Sequence, residues 1–71
     1  MDKRISEAFG RNLRSLRKER GFSQEMLAYA SGIDRSYVGK IERGLVNVTL
    51  EKIFVLAECL QCSPKDLVPE L

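Results

Sequence analysis

Two short helices meeting at Gly32, over residues 24 to 43, constrain this chain more than any other feature. Ser23 precedes the first of them as a start signal, because its hydroxyl can accept from a backbone N–H of the opening turn, and Glu25 places negative charge where the helix dipole favours it. Leu27, Ala28 and Ala30 supply the buried side. Gly32 can adopt the left-handed conformation that ends a helix, and Asp34, one residue after apolar Ile33, caps the next. So short a connection forces the helices to cross steeply, and Ala28 is small enough to let them approach.

The second helix divides by helical spacing. Val38 and Ile41, with Ile33 before them, face inward; Arg35, Ser36, Gly39, Lys40 and Arg43 face outward. Such a face can enter a major groove, where Arg and Lys donate to guanine acceptors and phosphate oxygens, although charged stripes in general are solvated faces. Gly39 argues for more than solvation. A mid-helix glycine costs about 1 kcal/mol relative to alanine, so it marks either close approach of a ligand or a tight helix packing contact.

Seventy-one residues make a single domain, 1–71, near the lower size limit for one stable core, and association of copies is a natural source of extra buried surface. The formal net charge of +2 hides an asymmetry: residues 1–44 hold ten basic and six acidic residues, residues 45–71 two basic and four acidic. A basic front and an acidic back suit a polyanion on one side only. Met1-Asp2-Lys3-Arg4 leads into charged residues rather than an apolar signal region, and the longest apolar run, Ile53 to Ala57, is too short to cross a bilayer. A cytoplasmic location without membrane contact is expected.

The remaining segments also read as helices. Ile5, Phe9, Leu13 and Leu16 recur at three- and four-residue intervals and predict a helix from Ser6 to Arg20, stopped by Gly21. Thr49 caps a fourth helix reaching Leu60, and Ser63-Pro64-Lys65-Asp66 opens a fifth with serine at the cap, proline at the first position and an acid three residues on. No strand competes. The expected class is all-α, with five helices.

The string Gln24-Glu25-x-Leu27-Ala28, then Ser31-Gly32-Ile33-Asp34-Arg35-Ser36-Tyr37-Val38 and Ile41-Glu42-Arg43-Gly44, resembles the XRE family of helix-turn-helix regulators, which includes the lambdoid phage repressors and Cro. The Asp-Arg-Ser-Tyr run and the small size are most similar to the controller proteins of restriction–modification systems. The resemblance covers residues 8 to 68. It implies five helices, a homodimer assembled mainly through the last two, and a partly symmetric double-stranded DNA operator, with RNA polymerase as a further partner of an activator. It also implies roles for matching residues. Gln24 would contact a backbone phosphate with help from the helix N-terminus; Arg35, Ser36, Tyr37 and Lys40 would face bases or nearby phosphates; Arg43 would lie near the strand edge, and Asn47 is a further DNA-binding candidate. Arg17 and Glu42 match a pair joining the first helix to the end of the third.

The chain departs from that pattern in places. Leu45 and Val46 occupy a loop where many relatives carry basic or polar residues, Ser31 replaces an apolar residue before the turn glycine, and Gln61 stands where glycine often ends the fourth helix. Cys59-Leu60-Gln61-Cys62 has the spacing of a zinc or redox pair, but zinc takes about four ligands and the chain has no histidine and no further cysteine. Both are expected to be reduced, buried small hydrophobes, with no metal and no cofactor. No constellation of acids and hydroxyls points to an enzyme.

The fourth helix is apolar on more than one side. Leu50, Ile53, Phe54, Ala57 and Leu60 are expected to face the core, leaving Val55 and Cys59, with Leu67, Val68 and Leu71 of the last helix, as a dimer interface. Two function classes fit the chain. One is an operator-binding homodimer that regulates transcription; the alternative is a protein-interaction domain of the same fold, such as an antitoxin or adaptor.

Overall fold

The computed structural model describes residues 2–70, which fold into five α-helices: α1 (Lys3–Glu19), α2 (Gln24–Ser31), α3 (Arg35–Glu42), α4 (Leu50–Cys59) and α5 (Pro64–Leu67). No strand forms among the described residues. Each of the first four helices starts at a residue whose side chain accepts from the opening turn: Asp2, Ser23, Asp34 and Thr49. α1 therefore begins three residues before the expected Ser6, because the Asp2 carboxylate accepts from the Arg4 N–H at 2.8 Å. At α5 the Asp66 carboxylate reaches back to the Ser63 N–H at 3.0 Å.

Three helix ends close in one way. Beyond α1, Gly21 is left-handed (φ 76°), its N–H donating to Lys18 O and that of Phe22 to Arg17 O. Gly44 repeats this after α3, and after α4 Gln61 does so at φ 53°. Glutamine thus sits in a conformation that crowds its Cβ against the backbone. At the steep α2–α3 turn, Gly32 is left-handed (φ 72°), and the Ser31 hydroxyl bridges it by donating to Ala28 O and accepting from the Ile33 N–H at 3.2 Å. Ser31 thus braces the turn.

Phe9 and Leu13 of α1, Leu27 of α2, Val38 and Ile41 of α3, Leu56 and Leu60 of α4 and Leu67 of α5 form one core. Burial of each large side chain contributes about 1.5–3 kcal/mol. α1 is the common support. Its Gly10 abuts the end of α3 so closely that a Cβ there would strike the carbonyl oxygen of Ile41 and come within 2.6 Å of that of Glu42. One side chain of α1 and its C-cap hold backbone carbonyls of the other half: Asn12 Nδ2 donates to Leu67 O at 2.9 Å, and Arg20 Nε to Leu60 O at 2.8 Å.

The expected inward face of α4 is corrected. Leu50 and Phe54 are 71% and 57% exposed, while Leu56 is fully buried. The helix is rotated so that Ile53, Leu56, Ala57 and Leu60 form the i, i+3, i+4, i+7 face toward the core, which carries Phe54 to its flank and leaves Leu50 beyond the core edge. Leu67 is corrected as well: it is completely enclosed within the chain and has no surface to offer a partner. Val68 is 47% exposed, Val55 and Cys59 are half-buried, and Leu71 lies outside the described residues. Val46 and Val48 pack against the core, whereas Leu45 is exposed. No described helix is long and apolar enough to cross a membrane.

Candidate nucleic-acid interface

The outward side of the α2–α3 unit is built by the two caps. Ser23 Oγ accepts from the Met26 N–H at 3.0 Å and its carbonyl accepts from Leu27. The N–H groups of Gln24 and Glu25 have no acceptor among the described residues, and the positive end of the helix dipole lies with them. That is a place for a phosphate oxygen. Asp34 accepts from the Ser36 N–H at 3.0 Å and from the Ser36 hydroxyl. These bonds, the side-chain one foremost, hold the Asp34 carboxyl below the usual carboxylate range, so it is ionised at neutral pH. Ser36 has consequently spent its hydroxyl proton and offers an incoming group only oxygen lone pairs.

Arg35, Lys40 and Arg43 are exposed and form no hydrogen bond or ion pair among the described residues. They stand at positions 35, 40 and 43, one at the start of α3, one in its last turn and one at its C-cap, on the side away from Val38 and Ile41. Gly39 is buried rather than outward-facing, between Arg43 and Gln24; a Cβ there would meet Arg43 Nη1 at 3.8 Å and Gln24 Oε1 at 3.9 Å, ordinary contact distances. Tyr37 is half-buried with its ring against the core and the Lys52 ammonium 5.5 Å from the ring centroid, a cation–π pair that joins α3 to α4. Asn47 is exposed in the loop after α3.

Behind this surface runs a buried polar chain. Arg17 Nε donates to Glu42 Oε2 at 2.6 Å, Nη2 to Oε1 at 3.1 Å, and Nη1 to the Phe22 carbonyl at 2.8 Å. Gln24 Nε2 donates to Glu42 Oε1 at 3.0 Å. One carboxylate therefore fixes the end of α1, the start of α2 and the end of α3 relative to one another, and Gln24 reaches the surface already oriented from below. Two participants escaped the sequence. The Phe22 carbonyl gives no signal in a side-chain pattern, but Gly10, a glycine inside a helical period, is the kind of residue that marks close approach.

The sequence profile of the helix-turn-helix family HTH_3 matches residues 13–67. The chain belongs to that helix-turn-helix family. Among its relatives are control protein C.SmaI of Serratia marcescens, 43% identical over 67 residues that make up 94% of this chain and 75% of the relative, and control protein C.BamHI of Bacillus amyloliquefaciens, 38% identical over 69 residues, 96% and 85%. The crystal structure of the restriction-modification controller protein C.AhdI from Aeromonas hydrophila matches with a TM-score of 0.84 at 52% identity, over 86% of this chain and 92% of that one. In this helix-turn-helix protein α2 and α3 are the two motif helices, α3 being the one that presents free cations. Like its family, it is a DNA-binding regulator of transcription of the XRE type. Its cysteines take no part in that surface: both are half-buried against the core, and burial pushes both thiols above their ordinary value, away from the reactive thiolate. Among the described residues no group of three His, Cys, Asp or Glu is placed to hold a metal ion.

Proposed function

We propose that the protein is a sequence-specific regulator of the restriction–modification controller kind, binding a partly symmetric operator in the cytoplasm as a two-fold homodimer. The observation that carries this reading is the exposed, unpaired set Arg35, Lys40 and Arg43 on a helix whose far side is locked into the core, beside the open N–H groups that begin α2. Arg35 reads a guanine edge from the first turn of α3; Lys40, Arg43 and Asn47 hold phosphates farther along; Gln24 anchors the opposite backbone. Ser36 accepts from a base amino group, and Tyr37 sets the rim of the surface. RNA polymerase is the further partner where the regulator activates.

The dimer is built through the α4–α5 side. Leu50, Phe54 and Val68 are large apolar groups left in solvent there, close to an apolar depression lined by Ile5, Phe9, Ile53 and Val68. An exposed patch of this kind marks an interface, and a two-fold axis through it would place two α3 helices about 34 Å apart, one turn of duplex. Val55 and Cys59, half-buried on the opposite flank of α4, are the further interface candidates of that helix.

Selection of bound sequences from a random DNA library, followed by gel shift at two salt concentrations, tests the reading. Recovery of an inverted repeat whose affinity falls steeply with salt is the expected result. Weak binding with no preferred sequence would instead favour the adaptor alternative.

A further inference from the structure

Most of the positive charge of this protein lies beside its base-reading surface rather than on it. With the buried Arg17–Glu42 pair set aside as neutral, residues 24–47, from the first turn of α2 through Asn47, hold three basic and two acidic residues, net +1, and Asp34 is held ionised among them. α1 then carries five basic and two acidic residues, net +3, which leaves the rest of the chain net negative. Long-range attraction to a polyanion must therefore come chiefly from α1.

Those cations are also grouped. In a helix, positions four apart share an edge, so Gly10, Arg14 and Lys18 form one row with Arg11 beside it. Gly10 fixes the row in space because it abuts the Ile41 and Glu42 carbonyls at the end of α3. At the other end of α1, Lys3 lines a shallow depression together with Gly44 and Asn47. Near its C-terminus Arg17 reaches Glu42, to which Gln24 is also bound. The row thus runs from Gly10, beside the end of α3, toward the start of α2, while on the Gly44 side of the motif α1 presents Glu7, which packs against that glycine. Arg11, Arg14 and Lys18 are all exposed and make no ion pair or hydrogen bond among the described residues, whereas Lys3 has Glu7 at 4.0 Å and Arg4 has Asp2 at 2.7 Å. Like charges at three- and four-residue spacing repel one another, and an acid within the group would have relieved this.

We infer that Arg11, Arg14 and Lys18 form a second DNA-contacting edge, a track for phosphates flanking the bases read by α3, which supplies sequence-independent affinity beyond what the weakly charged motif provides. The inference rests on the operator-binding reading. Duplex DNA is the occupant because the edge is continuous with the motif surface and opposite to it in charge from a phosphate backbone. These residues carry no sequence information; they set affinity and its response to salt.

The test compares wild type, the triple variant Arg11→Gln/Arg14→Gln/Lys18→Gln, and a charge-matched control, Arg4→Gln/Lys65→Glu, each with helical content checked by circular dichroism. Affinity for the selected operator and for a random duplex is measured across a salt series. Each phosphate contact removed flattens the log–log slope by about 0.9, so the edge variant is expected to flatten it by roughly two or more. It should lose affinity for both duplexes by the same factor, roughly tenfold or more at low salt, with the control close to wild type. Hydroxyl-radical footprints read the same point directly: wild type protects backbone positions outside each half-site, and the edge variant does not. Equal slopes for the edge variant and wild type, or equal losses in edge variant and control, overturn the inference while leaving the motif reading in place. A wild type that binds no duplex overturns both.

Discussion

The Arg17 guanidinium holds Glu42 through two N–H groups, at 2.6 and 3.1 Å, with the two side chains only 9% and 4% exposed. An ion pair sealed in this way is costly to break from one side, since the remaining charge stays buried without its partner. Glu42→Ala is expected to destabilise the fold by about 3–4 kcal/mol, against less than about 1 kcal/mol for an exposed pair. In thermal unfolding of a domain this small, that is a fall of roughly 12 °C or more. A midpoint within a few degrees of wild type would show that water reaches the pair.

Arg35→Ala should weaken operator binding by about 1–3 kcal/mol and relax preference at one base pair per half-site, as measured by competition with single-substituted operators. Gln24→Ala should instead weaken all sequences alike. Because Gln24 also donates to Glu42, its removal is expected to cost about 1 kcal/mol of stability in addition. An Arg35 variant that loses all sequences equally would be a phosphate contact.

Phe54→Asp and Val68→Asp should each yield a folded monomer whose operator affinity falls by orders of magnitude, because neither side chain contributes to the enclosed core. Leu67→Asp should unfold the chain, since that side chain is fully enclosed. Sedimentation and circular dichroism on the same samples separate the two outcomes. Wild-type protein that remains monomeric at tens of micromolar would refute the α4–α5 dimer.

Gln61→Gly should stabilise the protein by about 1 kcal/mol, because the left-handed conformation at φ 53° is unfavourable for glutamine and free of strain for glycine. Equilibrium urea unfolding measures the gain. An unchanged midpoint would mean that the glutamine side chain compensates for its backbone.

Asp34 links α3 to pH. Its carboxyl titrates lower when folded than when unfolded, so its stabilising effect is complete above the unfolded carboxylate range, about pH 4, and disappears as pH falls through the lower folded value. The difference in thermal midpoint between wild type and Asp34→Asn should therefore be present at neutral pH and vanish in strong acid. A difference independent of pH would assign the effect to cap geometry alone.

The helices were legible in the sequence because their signals are local: Ser23, Asp34 and Thr49 cap, Gly21 and Gly32 stop. What was not legible depended on phase and on contacts between distant segments. Apolar residues surround α4 on several sides, so its period alone cannot choose between burying Phe54 and burying Leu56; only packing of the helix against α2 and α5 decides. At the candidate interface, exposure of Arg35, Lys40 and Arg43 follows from helical spacing. The engagement of Ser36 by Asp34, and of Gln24 by Glu42, follows from side-chain direction at a cap and across a fold, which spacing does not contain.

The two side chains, one in α1 and one at its C-cap, that hold carbonyls at the end of α4 and in α5 have a consequence for the operator. Asn12 and Arg20 fasten the base-reading half to the half that would meet a second copy. A dimer made of units fastened in this way would act as a ruler that resists changes of length and angle. One base pair inserted between half-sites moves the far site by about 3.4 Å and turns it by roughly a tenth of a revolution, and a rigid pair can follow only by bending the duplex. The genes such a protein can govern are then limited by spacer length as well as by the bases it reads.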